Sequence, residues 1–353
     1  MKVAVFTGSD LRNYGGGEKD VINWVSRLDK EIDIIVYSPE DKDTSHHRIT
    51  EEQLPPIKIV WYKGKKIRLL KDILPQQKFD LSEYDKVYSM CQGFLLNRKL
   101  IRQSKKFLLG IHAQSTLAKQ PIESHKLWKR LAFKILYPIN MHYIKQADEI
   151  RIQNKDDERR LKEIGFKGKI WNVPPSMFDT TPEPIEPEKF YIIWFNRISP
   201  EKRPEEILKL AQFFKDIEFH IVGSGPLSYI FEQANLPNLK YLGFLSDKKL
   251  SEELQKASLC ILTSRGENFG MSAIEAQAHG VPTLSFDVMG LRDYNEVVDL
   301  PKMIQRIADY WHFFNLRNND GEYLEMRKQL REKTLNRFSN KVVIPQIKEM
   351  ITK

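Results

Sequence analysis

Short apolar segments alternate with amphipathic segments along most of the chain, and this alternation limits the folds available to it. Eleven segments rich in apolar and β-branched residues predict β-strands. They are residues 2–6, 33–37, 57–61, 86–90, 107–111, 149–153, 190–195, 218–222, 239–242, 258–263 and 282–286. Helical patterns such as residues 18–28 and 205–214 lie between them. This order predicts an α/β protein with doubly wound parallel sheets covered by helices.

A proline-rich segment divides the pattern in two. Residues 173–187 contain five prolines, which neither a helix nor a central strand tolerates. We therefore predict two Rossmann-like domains, residues 1–185 and 186–320, that face a cleft with the carboxyl ends of their strands. The helical pattern in residues 321–353 predicts C-terminal helices that pack back on the first domain.

Composition favours a soluble globular protein. The 353 residues are 41% hydrophobic and 29% charged, and no segment approaches the roughly 20 apolar residues of a membrane span. The first residues run directly into a predicted strand, so we expect no signal peptide. Cys91 and Cys260 both lie in apolar segments, which predicts reduced thiols in the cytoplasm and not a disulfide or a metal site.

Positive charge is concentrated in the first half of the chain. Residues 61–134, from Trp61 to Lys134, carry 17 Lys and Arg against 5 Asp and Glu. Such a surface can meet phosphate or the inner face of an anionic membrane, but a solvated basic face without a partner explains the charge equally well. In residues 126–137 a basic stripe lies beside an apolar one, which is typical both of helices on membranes and of core helices with a charged face. No aromatic residues are interleaved as in a nucleic-acid module, so no nucleic-acid partner is predicted.

The segment from Glu267 to Pro282 carries the most functional information. A predicted strand leads into Phe269-Gly270, and a short helix follows. Free N–H groups and the helix dipole make such a helix start suitable for anions. Glu267 and Glu275 lie eight positions apart around it, and carboxylates accept hydrogen bonds from hydroxyl groups. Phosphate donors beside hydroxyl acceptors suit a nucleotide-sugar, although Ser272-x-x-Glu275 also fits a capping box that serves only the helix.

Four further motifs follow predicted strands. Gly15, Gly16 and Gly17 allow close backbone approach, but they match neither a dinucleotide fingerprint nor a P-loop. Arg197 and Lys202 could bind a diphosphate or be solvated cations of a surface turn. Gly223, in a Gly-Ser-Gly-Pro turn, is explained equally by a simple turn. His112 could donate a hydrogen bond to a substrate, or be a structural histidine.

Taken together these motifs resemble the GT-B glycosyltransferases of family 4, also called the glycosyltransferase group 1 family. The resemblance is carried by five features in the family's order: Gly15-Gly-Gly-Glu18, Arg197…Lys202, Val222-Gly-Ser-Gly-Pro226, Tyr241-Leu-Gly-Phe-Leu-Ser246 and the Glu267–Glu275 pair with its continuation to Pro282. The family often has glycine where this chain has Asn196 and Arg203.

The resemblance implies a retaining, metal-independent sugar transfer from a nucleoside-diphosphate sugar to a saccharide or lipid-linked acceptor. Arg197, Lys202 and N–H groups near Gly270, Met271 and Ser272 would then neutralise the leaving diphosphate. In the same scheme Glu275 would hold the ribose hydroxyls.

Other residues would contact the rest of the donor. Glu267, with Asn268 and Phe269 beside it, and His112 would hold the donor sugar. Gly243 and Phe244 would touch the base, Gly223 would line the donor site, and Gly15 to Gly17 would close over the phosphates.

Three expectations follow for cofactors and rival functions. No cofactor or metal is expected, since cations and N–H donors can stabilise the charge on a departing diphosphate. The one Asp-x-Asp motif, Asp41-Lys-Asp43 beside His46-His47, is interpreted as a solvated surface loop. A nucleotide-sugar epimerase of the same fold and a non-catalytic sugar-nucleotide-binding protein remain alternative functions.

Overall fold

The structure is a computed structural model that describes residues 1–28, 30–41, 48–67, 72–90, 93–112, 116–117, 127–288, 290–316 and 321–353. It divides into two compact units. The first unit contains Met1–Met177 together with Asn340–Lys353, and the second contains Phe178–Ser339. The division falls within the proline-rich segment, at residue 177, whereas the sequence analysis placed the boundary at residue 185.

The first unit is built on a parallel seven-stranded sheet with the order β3-β2-β1-β6-β7-β8-β9. A separate antiparallel pair is formed by β4 and β5. The strands are β1 Lys2–Phe6, β2 Asp33–Pro39, β3 Ile59–Tyr62, β4 Gly64–Ile67, β5 Asp72–Pro75, β6 Lys86–Ser89, β7 Phe107–Gly110, β8 Glu149–Ile152 and β9 Lys169–Asn172. Its helices before residue 177 are α1 Gly16–Leu28, α2 Phe94–Gln103, α3 Leu127–Ile144 and α4 Lys155–Glu163.

The second unit has a parallel six-stranded sheet with the order β12-β11-β10-β13-β14-β15. Its strands are β10 Tyr191–Phe195, β11 Glu218–Val222, β12 Leu239–Gly243, β13 Leu259–Leu262, β14 Thr283–Phe286 and β15 Glu296–Val298. Its helices are α5 Pro204–Phe213, α6 Tyr229–Glu232, α7 Asp247–Lys256, α8 Met271–Ala278, α9 Leu300–Leu316 and α10 Glu322–Phe338.

Both sheets are buried on their two faces, which explains why their central strands are continuously apolar. In β10 every residue is buried, with Ile192 and Trp194 in the core on one face and Ile193 in the core on the other. The prediction of two doubly wound parallel α/β domains is confirmed.

The C-terminal segment is shared between the units. Ser339 has an extended backbone (φ −66°, ψ 156°) and separates α10 from α11, Asn340–Thr352. Helix α10 belongs to the second unit, and α11 belongs to the first. In the first unit Val343 and Ile347 of α11 lie in the core, and the Lys86 ammonium donates to the Met350 carbonyl at 2.8 Å.

No helix within the described residues combines the length and the apolar character that crossing a membrane requires.

Candidate functional site

Two oppositely charged side chains meet at the carboxyl ends of neighbouring strands in the second unit. Lys202 follows β10 and Glu267 follows β13, and these strands pair in parallel. Parallel strands end at the same edge of a sheet, so their following loops meet there. The Lys202 ammonium forms an ion pair with Glu267 Oε1, and the two side chains are only 19% and 12% exposed. The sequence therefore places a half-buried charge pair at this edge.

The backbone of Lys202 is fixed to β13. Lys202 ends a short 3₁₀ turn, Pro200–Lys202, and its carbonyl accepts a hydrogen bond from the Thr263 hydroxyl at 2.6 Å. The indole N–H of Trp194 donates to the same hydroxyl oxygen at 3.0 Å. Trp194 and Thr263 are both buried, so these two residues fix the position of the Lys202 backbone.

Glu267 is held by a second set of contacts. The Ser264 hydroxyl donates to Glu267 Oε1 at 2.6 Å. Gly290, which has φ +84°, lies so close that a Cβ atom there would be 2.3 Å from the Asn268 carbonyl and 2.6 Å from that of Glu267. A glycine is therefore required at position 290, and it supports the loop that carries the carboxylate.

The helix that follows starts without a side-chain cap. Gly270 is its N-cap with φ +77°, and Ala273 N donates to the Gly270 carbonyl at 2.9 Å. The N–H groups of Met271 and Ser272 precede this first helical hydrogen bond, as expected for a helix start that can receive an anion. Ser272 is the second residue of α8 and is not its cap. The capping-box interpretation is therefore wrong for this helix.

Glu275 is half-buried on α8. Burial raises the pKa of the Cys260 thiol in β13, and the negative charge of Glu275 raises it further. The Glu275 carboxylate therefore lies near that strand. The Glu275 carbonyl accepts from His279 Nδ1 at 2.8 Å, and Ser251 Oγ lies 2.8 Å from His279 Nε2. Cys260 is buried and free, whereas Cys91 lies outside the described residues.

The loop after β10 brings further groups to this edge. Arg197 is exposed and forms no ion pair with any of the residues that the structure describes. The Ser272 hydroxyl lies 3.5 Å from Asn196 Oδ1, so the Asn196 side chain is beside the start of α8. Its Nδ2 atom is buried and has no hydrogen-bond partner within the described parts of the chain. Arg203 adopts the left-handed backbone conformation (φ 50°), which glycine adopts most readily. This conformation explains why the family that the motifs resemble often has glycine at this position.

Gly223 has a packing role. A Cβ atom at Gly223 would lie 1.9 Å from the Asn196 carbonyl, and φ is +131°. The close approach lets Asn196 N donate to the Val222 carbonyl at 3.1 Å, which joins the loops after β10 and β11. The lack of room for a Cβ atom is therefore enough to explain why residue 223 is glycine.

The loop after β12 presents an aromatic ring. Gly243 has φ +67° and its carbonyl accepts from Gly223 N at 2.8 Å. Phe244, the next residue, is 51% exposed. By contrast Phe269 is buried and packs its ring against Tyr294 at 5.2 Å and Phe338 at 5.5 Å. Phe244 is thus exposed at this sheet edge, whereas Phe269 belongs to the core.

The glycine motif of the first unit differs from its prediction. Helix α1 begins at Gly16, so Gly16 and Gly17 are helical and only Gly15 lies in the loop. A Cβ atom at Gly15 would be 2.7 Å from Glu18 Oε2, and one at Gly17 would be 2.8 Å from the Met90 methyl. The helix starts early because the Glu18 carboxylate, in its first turn, is also bonded to the Ser9 hydroxyl.

His112 lies in a buried polar cluster of the first unit. Its Nε2 atom is hydrogen-bonded to the Tyr88 hydroxyl, and its Nδ1 atom lies 3.4 Å from Gln153 Nε2. The buried pair Asp20 and Arg151 lies beside it, with Nη1 to Oδ2 at 2.8 Å. Burial, assisted by the Arg151 charge, lowers the pKa of His112 to about 3, so the ring is neutral.

Several predicted residues are thus brought together and others are not. Lys202, Glu267, Ser272 and their neighbours share one edge of the second sheet, whereas His112 and Gly15–Gly17 belong to the first unit. The sequence analysis missed Thr263 and the Asp20–Arg151 pair, because single polar residues inside apolar patterns give no signal of their partners. The Asp41–Asp43 and His46–His47 loop lies mostly outside the described residues.

Part of the second unit matches a known sequence family. Residues 178–297 match the family model described as glycosyl transferases group 1. The family predicted from the motifs is confirmed for the unit that carries the Lys202–Glu267 pair.

One curated relative and two solved structures are similar to this chain. The 2-deoxystreptamine N-acetyl-D-glucosaminyltransferase of Niallia circulans is 31% identical over 168 residues, which are 44% of this chain and 43% of the relative. A protein from Anabaena solved with UDP and glucose has a TM-score of 0.71 at 16% identity and covers 100% of both chains. Sucrose-phosphate synthase from Thermosynechococcus elongatus has a TM-score of 0.72 at 16% identity, with coverage of 99% and 98%.

These likenesses settle the fold, and the predicted GT-B class is confirmed. Among curated relatives matched at 28–31% identity, the chain spans only 26–43% of the relative's length.

Proposed function

We propose that this protein is a retaining, metal-independent glycosyltransferase that moves a hexosyl group from a nucleoside-diphosphate sugar to a saccharide or lipid-linked acceptor. The observation that carries the proposal is the Lys202–Glu267 pair at the open strand edge of the group 1 domain, next to the uncapped start of α8. It combines a cation, backbone N–H donors and a carboxylate acceptor in one place.

In this proposal the leaving diphosphate is stabilised by fixed positive charge. Arg197 is exposed and can reach a ligand, while Lys202 is anchored through its backbone. An ammonium group has three donors, so Lys202 can keep its bond to Glu267 and still bind a phosphate oxygen. The N–H groups of Met271 and Ser272 add donors that need no reorganisation when the charge develops.

In this proposal the two carboxylates bind the uncharged hydroxyl groups of the donor. Glu267 accepts from hydroxyls of the sugar and Glu275 from those of the ribose, while the exposed Phe244 ring stacks on the base. Glu267 is already bonded to Lys202 and Ser264, so it is a binding group and not a general base.

Uridine nucleotides are the first donors to test. The Niallia relative is named for transfer of N-acetylglucosamine, and the Anabaena structure was solved with UDP and glucose. Thermal-shift measurements with UDP, GDP, ADP and their sugars should show a rise in Tm for one base, because binding to the native state stabilises it. Turnover with that donor, measured as released nucleoside diphosphate with and without EDTA, should be unchanged by the chelator. Anomeric NMR of the product should show retention.

Distinct results favour the alternative functions. Conversion of the donor without any acceptor would favour an epimerase. A Tm shift without turnover on any saccharide or lipid-linked acceptor would favour a non-catalytic binding protein. Loss of turnover on chelation, with recovery on adding a divalent cation, would contradict metal independence.

We also propose that the first unit contacts an anionic membrane at its cytoplasmic face. In α3 the side chains of Lys134, Ile135 and Ile139 are exposed, and the two isoleucines are 68% and 40% accessible. Exposed apolar side chains that directly follow the basic segment 61–134 suit the boundary of an anionic bilayer. Flotation with phosphatidylglycerol vesicles should be lost in Ile135→Glu and kept in a Lys162→Glu control on exposed α4. Equal flotation of both variants, or none of the parent protein, would contradict this contact.

A further inference from the structure

Two consecutive cations follow β10, and each is held by its own carboxylate. Lys202 pairs with Glu267, and the guanidinium of Arg203 donates from Nη2 to Glu206 Oε1 at 2.7 Å. Glu206 lies in the first turn of α5 and is buried. Lys209, one turn further along α5, donates to the same oxygen at 3.2 Å. The Arg203 side chain is therefore fixed in position, yet 29% of it remains exposed.

The carboxylate that holds Arg203 is charged. Burial raises the pKa of Glu206, but hydrogen bonds from Arg203 and Lys209, together with their charges, outweigh burial and lower the pKa below its ordinary value. Two cations thus share one carboxylate, and the three side chains together keep a net positive charge.

The guanidinium of Arg203 lies at the same sheet edge as the Lys202–Glu267 pair. Its Cζ atom is 4.8 Å from the centre of the Phe286 ring, and Phe286 is the last residue of β14. In the sheet β14 is next to β13, the strand that precedes Glu267. Neighbouring strands are about 4.8 Å apart, so a ligand at the Lys202–Glu267 pair needs to extend by only about one strand spacing to meet Arg203.

The backbone of Arg203 is unfavourable for a long side chain. Its φ of 50° and ψ of 56° lie in the left-handed region, which suits glycine. The N–H of Arg203 donates to the Pro200 carbonyl at 3.3 Å, and the Arg203 carbonyl accepts from Glu206 N at 3.1 Å. Glycine would form both bonds equally, so the turn itself does not require arginine. Strained residues of this kind cluster at ligand sites, which directs attention to the side chain.

One nitrogen of the Arg203 side chain is available to a ligand. Nη2 is used by Glu206, and Nε is buried without a partner within the described residues. Nη1 donates to no residue that the structure describes, and it is not among the buried atoms. An accessible guanidinium nitrogen on a side chain that is already held in place suits an anionic oxygen.

We propose that Arg203 is a further anion-binding residue of the donor site, and that its Nη1 atom donates to an anionic oxygen of the nucleoside-diphosphate sugar. This assignment rests on the proposed function. The oxygen belongs either to the diphosphate or to a carboxylate on the sugar, and both offer a guanidinium the same chemistry. Glu206 and Phe286 hold the group before the ligand arrives, so little side-chain freedom is lost on binding.

Two substitutions that suit a left-handed backbone test the proposal by binding alone. Arg203→Gly and Arg203→Asn both remove the guanidinium at a φ that glycine and asparagine tolerate, so both variants should remain folded. Calorimetric titration of the whole protein with UDP, UDP-glucose and UDP-glucuronate, or with the GDP or ADP counterparts if thermal shift identifies that base, measures Kd. We expect Kd to rise about tenfold in both variants, as for the loss of one charge-assisted hydrogen bond.

The choice of ligand identifies the oxygen that Arg203 binds. A weaker affinity for the nucleoside diphosphate itself assigns Arg203 to the phosphates, whereas a loss confined to the glucuronate donor assigns it to an acidic sugar. The control Lys209→Ala removes the other cation on Glu206 and should leave Kd near the parent value. Unchanged Kd for all three ligands in both Arg203 variants would overturn this role while the donor site stands. If the parent protein binds none of the nucleotides, the proposed function itself fails, and the role of Arg203 fails with it.

Discussion

The two units place charge differently, and the contrast separates charges that hold the fold from charges that can bind a ligand. In the first unit Asp20 and Arg151 are both fully buried, and the remaining donors of the guanidinium are used by the Val173 and Pro174 carbonyls. In the second unit Lys202 and Glu267 remain partly exposed, with the exposed Arg197 nearby. Substitutions should therefore affect stability in the first pair and activity in the second.

The largest expected effect is on stability. In Asp20→Ala, Arg151 keeps a buried charge without its partner, and the hydrogen bond from Ser176 N to Asp20 at 2.6 Å is lost. We expect a loss of about 3–5 kcal/mol in the free energy of unfolding, measured by urea denaturation. Asp33→Ala, which removes a surface pair with Lys58, should cost less than about 1 kcal/mol. Equal losses of unfolding free energy in Asp20→Ala and Asp33→Ala would show that the buried pair contributes no more to stability than the surface pair.

The second effect is on activity. Lys202→Ala removes the anchored cation at the strand edge, and we expect kcat to fall about 100-fold while the free energy of unfolding falls by less than in Asp20→Ala, whose pair is fully buried. Lys240→Ala, which breaks a surface pair with Glu218 in the same unit, should leave kcat near the parent value. Steady-state kinetics with the donor identified by thermal shift measures both. A similar kcat in all three proteins would mean that the chemistry lies elsewhere.

The smallest effect concerns a buried carboxylate on α4, that of Asp157. Burial raises the pKa of Asp157 to about 6, and one of its oxygens has no partner within the described residues. A raised pKa favours the protonated folded form, so this stability is present below about pH 4 and is lost as pH rises through 6. Asp157→Asn should therefore become increasingly stabilising, relative to the parent, between pH 4 and pH 7.

Thermal unfolding over that pH range measures the difference. Asp156→Asn, beside it on the same helix and paired with Arg159, should show no such trend. A pH-independent difference in Asp157→Asn would show that its pKa is ordinary.

Much of the fold could be predicted because central strands of parallel sheets are continuously apolar. All eleven predicted strands are present, with their ends within two residues of prediction. The four missed strands are short or polar: β4 contains Gly64-Lys-Lys-Ile67, and β9 contains two polar ends around Ile170 and Trp171. Edge and hairpin strands bury less apolar surface, so their sequence pattern is weak.

The site was predicted less completely than the fold. Glu267, Lys202 and Ser272 share a sheet edge because each follows a recognisable strand. The start of α1 at Gly16 was missed, since glycine is a poor helix former and only tertiary contacts of Glu18 reveal the earlier start. The partners of His112 were missed because Asp20, Tyr88 and Arg151 are far apart in sequence.

The return of α11 to the first unit has a consequence for biosynthesis. On the ribosome, β1 to β9 emerge early, but the core that Val343 and Ile347 complete is open until the last helix has been made. The second unit, by contrast, is continuous and can fold while the first still lacks a helix. A fragment ending in the proline-rich segment would expose this apolar surface permanently, so the first unit should be produced with residues 340–353 supplied by fusion or circular permutation.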